Sequence, residues 1–239
     1  MMILSDKFVC ESKCRSTYFR HVAAPLFRLS FAAHKNVKRA EISICGIGFY
    51  DLFINGHKIT KGFLAPYISN PDHIIYYDLY DISPYLQDGE NVIGVMLGDG
   101  FANGKTEVWN FENNVFNAPP KLAFFMEIDK DGKTESYDAS DFKCKQGPIT
   151  FNDMRSGVFY DARLEEKGWN EPYFNENNEW HMPLEAERPR GTAKLCEAEP
   201  VRIRKEIKPI KISKGEMTEY IPYNGFDEWL DGRTTVEVP

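Results

Sequence analysis

Apolar and polar residues alternate with a period of two through most of the chain, the pattern of strands with one face buried. Ala40, Ile42 and Ile44 alternate with Glu41, Ser43 and Cys45. Past the break at Gly46-Ile47-Gly48, Phe49 to Ile54 is rich in strand formers. Asn55-Gly56 supplies the positive-φ pair of a tight hairpin, and His57 to Thr60 returns as its partner. Further strands are predicted over 72–78, 92–97, 121–128, 134–137 and 149–151. Val92 to Leu97 is apolar throughout, as in a strand buried on both faces. Residues 81–86 read as a short helical turn, with Asp81 or Ser83 as its cap and Pro84 in its first turn. Residues 101–118 and 152–180 read as long irregular stretches, and alternation resumes over 201–204, 207–212 and 234–238. No helical run of about ten residues appears. Many short strands separated by turn chemistry predict an all-β chain built on a jelly-roll-like β-sandwich.

Composition narrows the function classes. With 29 basic and 36 acidic residues the net charge is −7, so the chain lacks the basic surface that nucleic acid or an anionic membrane requires. No run of about 18 apolar residues offers a helical membrane span, and the first residues lack the apolar core of a signal peptide. Cys10, Cys14, Cys45, Cys144 and Cys196 form no regular framework. Free thiols in the cytoplasm are therefore expected. At 239 residues the chain is one large domain or one domain plus a piece of another. The polar, broken stretch at 186–200 divides it into an extension over 1–19, a sandwich domain over 20–195 and the start of a following β-domain over 196–239. That last piece is too short to bury its own core.

Four blocks then fall in a recognisable order. Gly48-Phe49-Tyr50-Asp51-Leu52-Phe53-Ile54-Asn55-Gly56 is followed by Pro66 and by Tyr77-Asp78-Leu79-Tyr80-Asp81-Ile82. Gly89-Glu90-Asn91-Val92-Ile93-Gly94-Val95-Met96-Leu97-Gly98-Asp99-Gly100 comes next. Last comes Tyr160-Asp161-Ala162-Arg163-Leu164-Glu165 with Gly168-Trp169 and, farther on, Trp180. Together they resemble the front of the bacterial α-L-rhamnosidases, glycoside hydrolase family 78. The Asn-Gly hairpin and the Gly-x-Asn block also occur in the jelly rolls of β-galactosidases, whereas Tyr-Asp-Ala-Arg-x-Glu, in this order after them, is much more specific to the rhamnosidase-like group. The resemblance implies a galactose-binding-domain-like sandwich without the catalytic barrel. It implies a parent enzyme that hydrolyses terminal α-L-rhamnosyl linkages with inversion. The remaining catalytic domains are then the expected partners, and this chain alone is expected to be inactive. A stand-alone carbohydrate-binding module and a purely structural interface domain are the alternatives.

No catalytic residue is assigned, because no pair of carboxylates stands out as an acid and base flanking a scissile bond. Asp161 and Arg163, two apart, would face one side of a strand. They serve there either as a clamp for sugar hydroxyls or as a buried ion pair pinning 152–180 to the sandwich, the reading favoured here. Trp109, with Asn110 and Asn113, could stack on and hydrogen-bond a sugar, or the loop could simply cap the sheet. Trp169, Tyr173, Phe174 and Trp180 read as packing. No cofactor is required. Asp153, near Asn152 and the 175–179 run, offers hard oxygen ligands of the kind calcium takes.

Overall fold

The computed structural model describes residues 3–17, 20–35, 37–103, 118–130, 132–154 and 157–210. Its strands are β1 (Phe8–Cys10), β2 (Pro25–Ala33), β3 (Ala40–Ile47), β4 (Phe49–Ile54), β5 (His57–Lys58), β6 (Ile74–Asp81) and β7 (Gly89–Gly98). They continue with β8 (Lys121–Lys130), β9 (Lys133–Asp138), β10 (Lys143–Gln146), β11 (Ile149–Asp153), β12 (Gly157–Tyr160), β13 (Leu184–Ala186) and β14 (Thr192–Leu195). Helical structure among the described residues is confined to short 3-10 turns.

Two sheets share one core. The larger runs β13-β1-β8-β3-β6-β14, with β9 also paired to β8, and the smaller runs β10-β2-β7-β4-β5. Ile42 and Ile44 of β3 and Phe124 and Met126 of β8 meet Phe27, Leu29 and Phe31 of β2, Leu52 of β4 and Ile93 and Val95 of β7. Each contributing strand sends alternate residues inward, so period-2 patterning becomes a β-sandwich. The chain crosses between sheets at Gly48, where φ is 113° and an added Cβ would lie 2.0 Å from the Gly98 carbonyl oxygen. Only glycine fits that crossing. The hairpin forms as its sequence predicts, with φ of 49° at Asn55 and 82° at Gly56.

The larger sheet is buried on its outer face too. Phe8 and Cys10 of β1, Cys45 and Ile47 of β3, and Ile75 and Tyr77 of β6 form a second cluster there with Leu4. Within the extension expected over 1–19, β1 lies inside the sheet between β13 and β8. The turn at Ser83–Tyr85 carries its proline as expected, but its N-cap residue is Ile82 and no side chain caps it; Asp81, just ahead of the turn, accepts the Ser83 N–H on Oδ1 at 2.9 Å. Residues 157–160 form β12 inside the stretch expected to be irregular. The strands expected over 201–204 and 207–212 are not found among the described residues. Val201 makes a single bridge to Phe63, and nothing described lies alongside 202–210 as a partner edge. Residues 211–239, including the expected strand at 234–238, lie outside the described residues.

Candidate functional site

The β11–β12 hairpin and the turn that follows it rise beside β10, at the edge of the smaller sheet. Between them and the sandwich lies an open cleft of about 670 Å³. Lys145 and Gln146 of β10, Thr150 of β11 and the side chains of Arg163, Glu165 and Glu166 line it. Glu11, His21, Glu179 and His181 complete the wall.

Arg163 and Asp161 differ from both halves of the expectation. Asp161 caps the 3-10 turn Ala162–Leu164 instead of lying on a strand. Its Oδ1 accepts from the Arg163 N–H at 3.0 Å and from Nε at 2.8 Å, and Oδ2 accepts from Nη2 at 2.6 Å. The Arg163 side chain is 89% exposed, so this is no buried ion pair. A short turn folds Arg163 back on its own cap, and two residues that bond each other locally cannot pin a distant segment. Arg163 hydrogen bonds hold the Asp161 carboxyl down at about 2. The pair is charged, and its Arg163 lines the cleft.

The anchoring falls to residues the motif does not mark. Lys145 Nζ donates to Glu166 Oε1 at 2.8 Å and to Glu179 Oε2 at 2.6 Å. Asn177 Nδ2 and Trp180 Nε1 donate to the two Glu166 oxygens at 2.7 and 3.1 Å. Burial works against the Lys145 charge, but hydrogen bonds to the two glutamates outweigh it and raise its pKa; the Lys145 hydrogen bond lowers that of Glu179. Behind them His181 pairs backbone to backbone with Cys144, and its Nε2 lies 3.5 Å from Glu11 Oε1. Burial pushes the Cys144 thiol up to about 12, so it stays protonated and unreactive. Glu11 meets Glu179 and His181 from the far end of the chain, and no local spacing announces that meeting. Only the alternation of buried Cys144 with the neighbouring lysines hints at β10.

Beside the cleft, β12 leaves Val158, Phe159 and Tyr160 exposed, and His21 packs its ring on Phe151 and Phe159, with centroids 4.5 and 5.7 Å apart. Trp169, Phe174 and Trp180 are packing residues as expected. Trp169 stacks on Trp180 with centroids 6.4 Å apart, and Phe174 meets Trp180 edge-on. Tyr173 is exposed. Trp109, Asn110 and Asn113 lie outside the described residues. Asp153 is buried at the end of β11, and no three His, Cys, Asp or Glu side chains among the described residues group to hold a metal ion.

Comparison with known proteins agrees with the motif order. Residues 35–205 match the model of the alpha-L-rhamnosidase N-terminal domain. The chain belongs to that family. An alpha-L-rhamnosidase of Formosa agariphila is 31% identical over 83% of this chain, and one of Streptomyces avermitilis is 28% identical over 76%. This chain covers 21% and 18% of those two proteins, about a fifth of the curated relatives it matches. Among solved structures, the alpha-L-rhamnosidase from Dictyoglumus thermophilum superposes with a TM-score of 0.72 at 33% identity, over 88% of this chain and 24% of that one. The S. avermitilis enzyme complexed with L-rhamnose gives a TM-score of 0.62 at 27% identity, over 72% of this chain and 17% of that one.

Proposed function

We propose that this chain is the non-catalytic front of an α-L-rhamnosidase, and that its cleft holds carbohydrate while hydrolysis occurs in the part of the enzyme it does not span. The observation that carries this reading is the match to the family's N-terminal domain combined with coverage of only about a fifth of the relatives. Cleft chemistry supports it. Glycoside hydrolysis needs one carboxyl group kept protonated and a second carboxylate opposite it. Lys145 instead takes up Glu166 and Glu179, and Glu179 is held in its charged form. That state is the reverse of what a general acid requires. The exposed Arg163 guanidinium, Gln146, His21 and Glu165, set near the rings of Phe159 and Tyr160, are the mixture of polar and apolar groups that a sugar ring fits. The five free cysteines support a reducing compartment, the cytoplasm.

The S. avermitilis relative, solved with L-rhamnose, suggests the probe. No turnover of nitrophenyl α-L-rhamnoside by this chain is expected. Calorimetry with L-rhamnose and rhamnosyl oligosaccharides should show binding that Arg163→Ala weakens by about tenfold, or about 1.4 kcal/mol. Turnover by the chain would remove the non-catalytic half of the reading. Absence of heat with every rhamnosyl ligand would remove the carbohydrate half.

A further inference from the structure

Opposite β10 the smaller sheet ends at β5, and the loop that follows β5 walls another hollow, of about 70 Å³. Lys61, Phe63 and Tyr67 of that loop line it, together with Asp78 of β6 and Cys196 just past β14. Asp78 is only 5% exposed, and the Tyr50 hydroxyl holds its Oδ2 at 2.5 Å. Burial raises the Asp78 pKa, against the Tyr50 hydrogen bond and the charge of Lys61. Lys61 Nζ is itself fixed, donating to the Leu79 carbonyl at 2.6 Å and lying 4.8 Å from the centre of the Tyr80 ring. The loop keeps a costly shape. Leu64 has a φ of 59°, in the left-handed region that a bulky side chain avoids. The Tyr50 N–H donates to the Ala65 carbonyl at 2.8 Å and the Phe63 N–H to the Val201 carbonyl at 3.0 Å, so both flanks of Leu64 are pinned. Leu64 is half exposed, so its own burial does not repay the strain. Strain of this kind clusters where backbone shapes a ligand site.

We propose that this hollow binds a neutral, hydroxyl-bearing ligand, the edge of a monosaccharide ring. The two charges select the class. Lys61 repels a cation and Asp78 repels an anion, whereas two neighbouring hydroxyls can donate to the carboxylate and accept from the ammonium at once. The half-exposed rings of Phe63 and Tyr67 supply the apolar contact that the C–H face of a sugar takes. The volume admits one edge of a ring, so binding is weak, with a Kd of about 10 mM. This hollow shares no lining residue with the cleft beside β10, and the inference does not rest on the reading of that cleft.

Cys196 reports occupancy, because its thiol is free and the residue lines the hollow. Its alkylation by iodoacetamide, followed by peptide mass spectrometry on the 239-residue chain, should slow about threefold in about 20 mM of at least one of L-rhamnose, D-galactose and D-glucose. Cys14, which does not line the hollow, should react at an unchanged rate. Asp78→Asn keeps an acceptor for Tyr50, and Lys61→Met removes an exposed ammonium. Each should weaken binding about tenfold and so remove most of the protection. Arg163→Ala, in the other cleft, should leave the protection intact. Alkylation of Cys196 that none of the three sugars slows would overturn the proposal, as would equal slowing at Cys14. So would full protection in both Asp78→Asn and Lys61→Met, or protection that vanishes with Arg163→Ala, which would return the sugar to the cleft beside β10.

Discussion

Asp78 is an acid enclosed between two sheets. Its Oδ2 accepts from the Tyr50 hydroxyl at 2.5 Å, the Tyr50 and Tyr80 hydroxyls are 2.9 Å apart, and the Lys61 N–H donates to Tyr80 at 3.1 Å. Burial pushes the Asp78 carboxyl above its ordinary 3.8, outweighing the Tyr50 hydrogen bond that favours its charge. The folded state therefore binds this proton more tightly than the unfolded state does. Stability falls as pH rises from 3.8 to the raised value and is not lost further above it. Asp78→Asn keeps an acceptor for Tyr50 and drops the charge. Urea midpoints from about pH 4 to about pH 7 should show less decline in this variant than in the parent. An unchanged slope would assign the effect to another group. Asp161 has the opposite sign, because its carboxyl is lowered to about 2 and its contribution is lost only as pH falls from 3.8 toward that value. Its pair with Arg163 is exposed, so that contribution is small.

Among elements, the strap over residues 168–181 is the one that positions the cleft. It crosses the outer face of the smaller sheet, where Arg28, its side chain only 2% exposed, holds it. Arg28 Nε donates to the Trp169 carbonyl at 3.0 Å, and Nη2 to the Glu171 carbonyl at 3.1 Å. Nη1 reaches Glu176 at 3.1 Å, and the guanidinium lies 5.6 Å from the centre of the Phe174 ring. Gly94 of β7 leaves the room, since a Cβ there would stand 2.6 Å from that of Asn170. Arg28→Ala should cost about 3 kcal/mol in urea unfolding, near the lower end for a broken buried ion pair, because Glu90 and Glu176 keep some water. It should also open 168–181 to limited proteolysis, and a loss within experimental error would deny the strap its anchor. The sequence shows why only part of this is legible. Strands at 40–47 and 49–54 and the turn at Asn55-Gly56 are visible because alternation and turn chemistry are local. The strap is invisible because its regularity lies in the surface beneath it. Phe27, Leu29 and Phe31 alternate with Arg28 and Ser30 as plainly as β3 does, yet β2 lies outside the predicted strands. Asp161 and Arg163 show the limit of spacing arguments, for a two-residue interval means one face only if the backbone is extended.

For the whole molecule, the dependence of the large sheet on the chain's first residues matters most. Val9 belongs to the core between the sheets, while Phe8 and Cys10 belong to the cluster on the outer face. β1 also supplies hydrogen bonds to β13 on one side and β8 on the other. A chain starting at residue 11 should lose its cooperative thermal transition and its near-ultraviolet circular dichroism, because a central strand is missing from a sheet buried on both faces. A sharp transition in that shortened chain would mean that β8 and β13 can close the gap.

The position of β1 also sets an order of events. Within the domain it is made before its neighbours, since β8 and β13 begin at Lys121 and Leu184. Until both emerge, Phe8, Val9 and Cys10 have no edge to join, and closure of the large sheet waits on contacts between the two ends of the domain. Such distant pairings slow folding, because loop entropy is spent before contacts return it. During synthesis, then, β1 is an apolar segment whose two partner strands come later, and it stays unpaired until the domain is nearly complete.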